Sequence, residues 1–252
     1  RHPFAPGATV IDLVPVFDTQ FVHRATAQLP GDVASNLEHI ADGLAPFSVD
    51  VSELRGALHA AFRPAEIEFS PETLTAALSA LPENTRITID TGAHRILASQ
   101  MLRRSAPGLT HQSTGLCTMG CALPTAIGAA LADPDRPTVA LVGDGGLEMV
   151  LGELGTARDL AVNLTVVVYD DRSLALIEKK QRARGLRNVG VDFGSADFAG
   201  TRYDLVAQAF DAHGVIVETL GDFTHALSNA LAQSGTHLIA CRLPRRGYDD
   251  VI

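Results

Sequence analysis

The chain has 252 residues, 46% of them hydrophobic, and a formal charge of −9. That length and apolar content suffice for one well-buried domain plus an appendage, and the acidic balance argues against a nucleic-acid or membrane surface as partner. Cys117, Cys121 and Cys241 are an odd, sparse set; buried free thiols in a reducing, cytoplasmic setting account for them better than zinc ligands or a disulfide, although Cys117 and Cys121 also share one helix face by spacing.

In chain order, Arg1–Thr9 is a polar lead, and Thr9–Val16 reads as a strand whose interior proline suits a sheet edge. Phe17–Arg24 reads as irregular and Leu29–Asp32 as a turn, with Asp32 capping a helix from Val33 to about Leu44. Val51–Ala61 gives another helix. A segment this short does not bury a core of its own, so further sequence or a partner is expected to complete it. The next domain opens at Ala65–Glu68. Ser70-Pro71-Glu72-Thr73 has the cap, the first-turn proline and the early acid of a helix start, and the helix runs to about Leu81. Arg86–Ile89 is a short strand ending at Asp90-Thr91-Gly92-Ala93-His94, where Asp90 either holds the loop or caps a helix over Ile96–Leu102. His111 precedes a stretch rich in small residues, Gly120, Ala122, Ala126, Gly128, Ala129 and Ala130, which suits a helix packed closely on a sheet. Imidazole titrates near neutral pH, which makes His111 the candidate to meet a substrate.

The stretch from Thr138 to Gln181 organises the rest. Val139–Val142 is a buried strand running into Gly143-Asp144-Gly145-Gly146, where glycines allow a sharp turn and close approach to a bound group. Leu147, Val150, Leu151, Leu154 and Ala157 mark one continuous helix, and Leu164–Tyr169 is a second strand ending in Asp170-Asp171. Asp144 and Asp171 thus stand at the C-terminal ends of two strands, the edge at which open α/β sheets bind ligands. Carboxylates, a carbonyl and a diphosphate make a hard-oxygen shell suited to Mg²⁺, and amides of the glycine turn suit the diphosphate. Ser173–Lys180 reads as a helix over the cavity mouth with an apolar wall at Leu174–Ile177, and with Glu178 either reaching in or, as the favoured reading, on its solvated face. Lys179, Lys180, Arg182, Arg184 and Arg187 form a basic cluster that reads equally as an anion attractor or a charged surface. After a loop at Gly190–Asp197 come a helix (Tyr203–Phe210), a strand (Gly214–Glu218), a helix (Phe223–Gln233), a strand (Thr236–Cys241) and a polar tail, Arg242–Asp250. The alternation implies an α/β fold, a mostly parallel sheet with helices on both faces.

Gly143-Asp144-Gly145 followed at the right distance by Asp171, and Ser113–Ala130 (STGLCTMGCALPTAIGAA), together resemble the diphosphate-binding domain of thiamine-diphosphate enzymes, in the acetolactate-synthase-like branch. The resemblance implies a thiamine-diphosphate-binding fold over residues 63–252, preceded at 1–62 by the end of a Rossmann-like central domain. It implies thiamine diphosphate and Mg²⁺ as cofactors. Asp144, Asp171 and the Ser173 carbonyl would hold the metal, and Gly143, Gly145, Gly146, Ala93, His94 and Met119 would contact the cofactor. Asp171 replaces the usual Asn, Cys117 a usual Gly, and LALIEKKQ the usual pocket helix. The implied reaction is decarboxylation of a 2-oxo acid and transfer of the acyl unit to a second carbonyl. A non-ligating decarboxylase and a catalytically silent scaffold are the alternatives. The activating glutamate would come from a pyrimidine-binding domain or chain in a homo- or hetero-oligomer, since Glu148 and Glu153 are misplaced for that role. A Rossmann dehydrogenase is disfavoured, because no G-x-G-x-x-G opens a helix after a strand.

Overall fold

In a computed structural model, the structure describes residues 7–16, 25–42, 50, 52–61, 68–104, 106–187, 189–191, 200–249 and 251–252. The chain divides into two compact units, Arg1–Val51 and Ser52–Ile252. The expected irregular stretch Phe17–Arg24, all but Glu68 of the domain start at Ala65–Glu68, and most of the loop Gly190–Asp197 lie outside the described residues.

In the first unit, β1 (Ile11–Val14) pairs in parallel with β2 (Ala27–Pro30), and α1 (Val33–Ala41) follows. Leu29 and Pro30 therefore end a strand rather than lie in a turn; the reversal falls on Gly31 at φ +120°, a backbone that glycine permits. Asp32 caps α1 as expected, its Oδ1 accepting from the Ser35 amide at 2.8 Å. No residue of α1 is buried, and Leu37 is half exposed.

In the second unit, α2 (Ser52–Ala61) is followed by α3 (Pro71–Ala77), which continues into a short 3₁₀ turn at Leu78–Ala80. A reciprocal cap fixes the start of α3: the Thr73 hydroxyl accepts from the Ser70 amide at 2.7 Å, and the Ser70 hydroxyl accepts from the Thr73 amide at 3.3 Å. Then come β3 (Arg86–Ile89), α4 (Ala93–Met101), β4 (Thr110–Gln112), α5 (Ala122–Ala132), β5 (Thr138–Gly143), α6 (Asp144–Glu148), α7 (Glu153–Asp159) and β6 (Leu164–Asp170). The series ends with α8 (Ala175–Ala183), α9 (Tyr203–Ala209), β7 (His213–Val217), α10 (Leu220–Ala232) and β8 (Thr236–Arg242).

The six strands β3–β8 pair in parallel in the order β4-β3-β5-β6-β8-β7. Alternate residues of the central strands face opposite layers. Leu141, Val167 and Ile239 pack with α3, α4 and α10, whereas Ala140, Val166 and Leu238 pack with α5, α7 and α9. Helices thus cover both faces of the sheet, as the alternation of elements requires.

Three expectations change. The helix expected through Leu147–Ala157 is two, α6 and α7, separated by turns at Met149–Gly152; its apolar spacing survives because Leu147 and Leu154 still point into one layer. Gly128 is not needed for close packing, since nothing lies within 4 Å of a Cβ built there; Ala122, Ala126 and Ala130 form the buried face of α5. Cys117 and Cys121 do not share a helix face: Cys117 lies in the loop before α5 at φ +53°, and Cys121 precedes the first turn.

Candidate active site

From β3 the chain runs outward to β4, then returns past β3 to build β5 on its other side. The C-terminal ends of β3 and β5 therefore diverge at a topological switch point, where such sheets open a crevice. A cavity of about 300 Å³ lies at these strand ends. Thr91–His94 after β3, Gly143–Gly146 after β5, Asp171 and Ser173 after β6, and Leu174–Ile177 of the next segment line it, together with Cys117, Met119 and Tyr169. Ala93, His94, Met119, Gly143, Asp144, Gly145, Gly146, Asp171 and Ser173 are thereby brought together at one cavity.

Its floor is acidic. The Ser173 amide lies 3.3 Å from Asp144 Oδ2 and 3.2 Å from Asp171 Oδ1, so one N–H is shared by two buried carboxylates. Asp171 Oδ2 has no hydrogen-bond partner among the described residues. Burial and then the Asp171 charge hold Asp144 well above the usual carboxylate range. Burial likewise raises Asp171 to about 7, with Asp170 and Glu178 adding to it against the Ser173 amide. Among the described residues no group of three or more His, Cys, Asp or Glu side chains is placed to hold a metal. The donor set that does fit a hard cation is two carboxylates with backbone and ligand oxygens.

The glycines act through proximity. Gly143, Gly145 and Gly146 do not need a positive φ, and the segment after β5 starts directly as α6 instead of the sharp glycine turn expected. A Cβ at Gly146 would collide with Asp90 Oδ2, and one at Gly143 would sit 3.5 Å from the His94 ring. The Gly145 amide is engaged locally, donating to Asp144 Oδ1 at 2.6 Å. Asp90 holds a loop and caps no helix: its oxygens accept from the Gly120 amide (2.9 Å) and the Cys121 amide (3.0 Å), tying the Met119 loop to the end of β3. Gly120, at φ +80°, sits where a Cβ would be 2.9 Å from Val150 Cγ1.

Ala93 and His94 open α4 and do not precede it. His94 is buried and stacked on Tyr169 at a ring-centroid separation of 5.2 Å. Burial, opposed by the Asp90 charge, lowers its pKa to about 4, so its ring is neutral, and its Nε2 has no partner among the described residues. His111 lies elsewhere. It sits on edge strand β4 and lines a second cavity with Ile89, Ser113, Cys121 and Thr125. Glu148 is held by the Thr201 hydroxyl at 2.8 Å and the Tyr203 hydroxyl at 3.1 Å.

Glu178 departs from the sequence reading. It is 2% exposed, not solvated, and accepts from the Ser173 hydroxyl at 2.5 Å. Burial pushes its pKa up, but the Ser173 hydroxyl and Arg246, Arg245 and Arg182 outweigh that and hold it below the usual carboxylate range. The basic cluster divides in the same way: Arg182 and Lys179 bond to Asp249, while Lys180 lines the cavity. Tyr169 and Tyr248 also line it and had no motif to announce them.

Residues 90–241 match the family model for the "Thiamine pyrophosphate enzyme, C-terminal TPP binding domain". The chain belongs to that family. Among curated proteins it is similar to an acetolactate synthase from Bacillus subtilis, 28% identical over 243 residues that make up 92% of this chain and 42% of that protein. It is also similar to a probable 2-ketoarginine decarboxylase from Pseudomonas aeruginosa, 29% identical over 250 residues, 96% of this chain and 44% of that protein. A solved thiamine diphosphate-dependent 4-hydroxybenzoylformate decarboxylase from Rhodococcus jostii shares the fold, with a TM-score of 0.76 at 21% identity, over 94% of this chain and 44% of that one. The chain thus spans less than half the length of these relatives. No helix among the described residues is long and apolar enough to cross a membrane.

Proposed function

We propose that this chain is the diphosphate-binding part of a thiamine-diphosphate- and Mg²⁺-dependent enzyme that decarboxylates a 2-oxo acid. The observation that carries the reading is the convergence of Asp144 and Asp171 on one backbone N–H, with Asp171 Oδ2 buried and unpartnered at the cavity floor. Two carboxylates so placed repel unless a proton or a cation intervenes. Asp144, Asp171 and the Ser173 carbonyl would hold Mg²⁺, an all-oxygen set in keeping with that ion. Bound thiamine diphosphate supplies the electron sink for loss of carbon dioxide.

The chain's own residues bind, orient and exclude water. The neutral His94 ring, fixed by its stack on Tyr169, borders the cavity with a buried, uncommitted Nε2, while Ala93 and Gly146 bring backbone close to it. Met119, held through the Asp90 anchor, supports the cofactor from the loop before α5. The apolar wall Leu174–Ile177 keeps water from the reacting end. His111, on the separate cavity, has no assigned part in this arrangement. The activating glutamate would be supplied by a pyrimidine-binding domain in an oligomer.

Transfer of the acyl unit to a second carbonyl is a second reading. The matched acetolactate synthase and the Ser113–Ala130 segment favour it, whereas the matched decarboxylases make carbon dioxide loss the common step. Calorimetry of thiamine diphosphate with the full-length protein, with and without Mg²⁺, tests the reading, followed by a panel of 2-oxo acids assayed for carbon dioxide and coupled products. Binding that needs Mg²⁺ and is accompanied by turnover is expected. A folded protein that binds nothing would leave a silent structural subunit as the better account.

A further inference from the structure

Among the described residues the chain beyond β8 forms no further strand, yet it is tied down. The Leu243 amide donates to the Asp170 carbonyl at 2.9 Å, and Arg172 donates to the Leu243 carbonyl at 3.0 Å. Lys179 donates to the Asp249 carbonyl at 2.9 Å, and Arg182 grips both Asp249 oxygens, at 2.5 and 2.7 Å. Both contacts come from one nitrogen, Arg182 Nη2, and are charge-assisted. Tyr248 is thereby buried in the cavity wall.

Glu178 stands at the centre of these ties. Arg246 and Arg245 of the C-terminal segment approach it at 3.3 and 3.6 Å, and Arg182 of its own helix at 3.5 Å. Arg246 and Arg182 face Oε1, whereas Arg245 and the Ser173 hydroxyl, which donates, meet at Oε2. Ser173 is therefore held on two sides, by Glu178 through its side chain and by Asp144 and Asp171 through its amide. A buried carboxylate is kept only where its partners are well placed, because desolvation costs several kcal/mol otherwise. Surface helices do not need such a residue, and these partners link the C-terminal segment, the helix itself and Ser173 beside the carboxylate pair.

We propose that Glu178 is a positioning residue: braced by the C-terminal segment through Arg245, Arg246 and the Arg182–Asp249 pair, it sets Ser173 and hence the cation affinity of the Asp144–Asp171 site. The inference rests on the function proposed above, and deepens it by assigning residues outside the motifs to the same site. Its consequence is that changes at Asp249, which does not itself line the cavity, act on Mg²⁺.

The test measures the Mg²⁺ dependence of thiamine diphosphate binding by calorimetry in the full-length protein, for Ser173→Ala, Glu178→Ala, Glu178→Gln, Asp249→Asn and the Ser173→Ala/Glu178→Ala pair. Tryptic cleavage at Arg245 and Arg246 without cofactor is followed in parallel. Ser173→Ala and Glu178→Ala are each expected to weaken Mg²⁺ binding about tenfold, and the double variant no more than either alone, the mark of two groups acting as one. Asp249→Asn, the mildest change, should weaken Mg²⁺ about threefold and speed cleavage, the loss of one charged partner. Glu178→Gln keeps an oxygen for Ser173 and should fall between wild type and Glu178→Ala. Single effects that multiply in the double variant would overturn the inference. So would variants that lose thermal stability while keeping the Mg²⁺ dependence of wild type. Failure of the wild-type protein itself to bind the cofactor overturns the proposed function and this inference with it, whereas wild-type binding with unaffected variants overturns the inference alone.

Discussion

Replacing Asp171 with asparagine keeps an oxygen at the cavity floor and removes one of two facing charges. The folded protein raises the Asp171 pKa from 3.8 to about 7, a difference worth about 4 kcal/mol at about 1.4 kcal/mol per pKa unit. The sign follows from which state holds the proton. A carboxyl group with a raised folded pKa binds its proton more tightly when folded, so its contribution to stability is complete below about pH 4 and is lost as the pH rises through about 7. Above that the cofactor-free fold carries the full cost of a buried charge beside Asp144. Asparagine carries none. The variant should match wild type near pH 4 and exceed it by up to about 4 kcal/mol near pH 8, measured by urea unfolding of the cofactor-free, chelator-treated protein. Mg²⁺ should close the gap from the wild-type side at the higher pH and do nothing near pH 4, where protons outcompete it. Parallel stability profiles for the two proteins across this range would refute the reasoning, because Asp171 would then not titrate differently on folding.

Gly146→Ala should destabilise the fold by about 2–3 kcal/mol, since its Cβ meets Asp90 Oδ2 and the anchor of the Met119 loop must shift; thermal denaturation reads this directly. Gly128→Ala, in open space on α5, should stabilise by about 0.5–1 kcal/mol in the same assay. Cys117→Gly removes a left-handed backbone from a residue with a side chain (φ +53°) and should raise stability by about 1 kcal/mol, seen as a higher urea midpoint. His94→Phe keeps an aromatic ring against Tyr169 but deletes the uncommitted Nε2, so cofactor affinity should fall about tenfold by calorimetry while stability stays within about 1 kcal/mol.

Much of the fold could be read because its signals are local. Arg86–Ile89 forms the strand expected, and the caps at Asp32 and Ser70 hold because a side-chain oxygen three residues before an amide is a local geometric fact. The short elements were harder. Strand β4 covers only Thr110–Gln112, with polar residues facing outward at the sheet edge, and no periodicity marks it. The break between α6 and α7 was hidden because both helices keep the apolar spacing of one. Gly143 and Gly146 announced the crevice, although for a reason other than backbone freedom: a Cβ at Gly146 would displace Asp90.

The site was legible where the chain concentrates it and illegible where distant segments build it. Asp144, Asp171 and Ser173 lie in one stretch of sequence and were named through its family resemblance, and all three line one cavity. Glu178 sits among Lys179, Lys180 and Arg182, and a carboxylate in a charged run reads as a solvated surface. What buries it is a segment more than sixty residues later, Arg245 to Asp249, itself a polar tail by composition. Neither half makes sense alone: the arginines of the tail look like surface without Glu178, and Glu178 looks like surface without them. Tyr248 belongs to the same segment: it lines the cavity directly before Asp249, which Arg182 and Lys179 hold. Motif residues thus define the chemistry of the floor, while residues with no motif set how firmly that floor is held. Substitutions in the tail should therefore change cation affinity before they change the reaction.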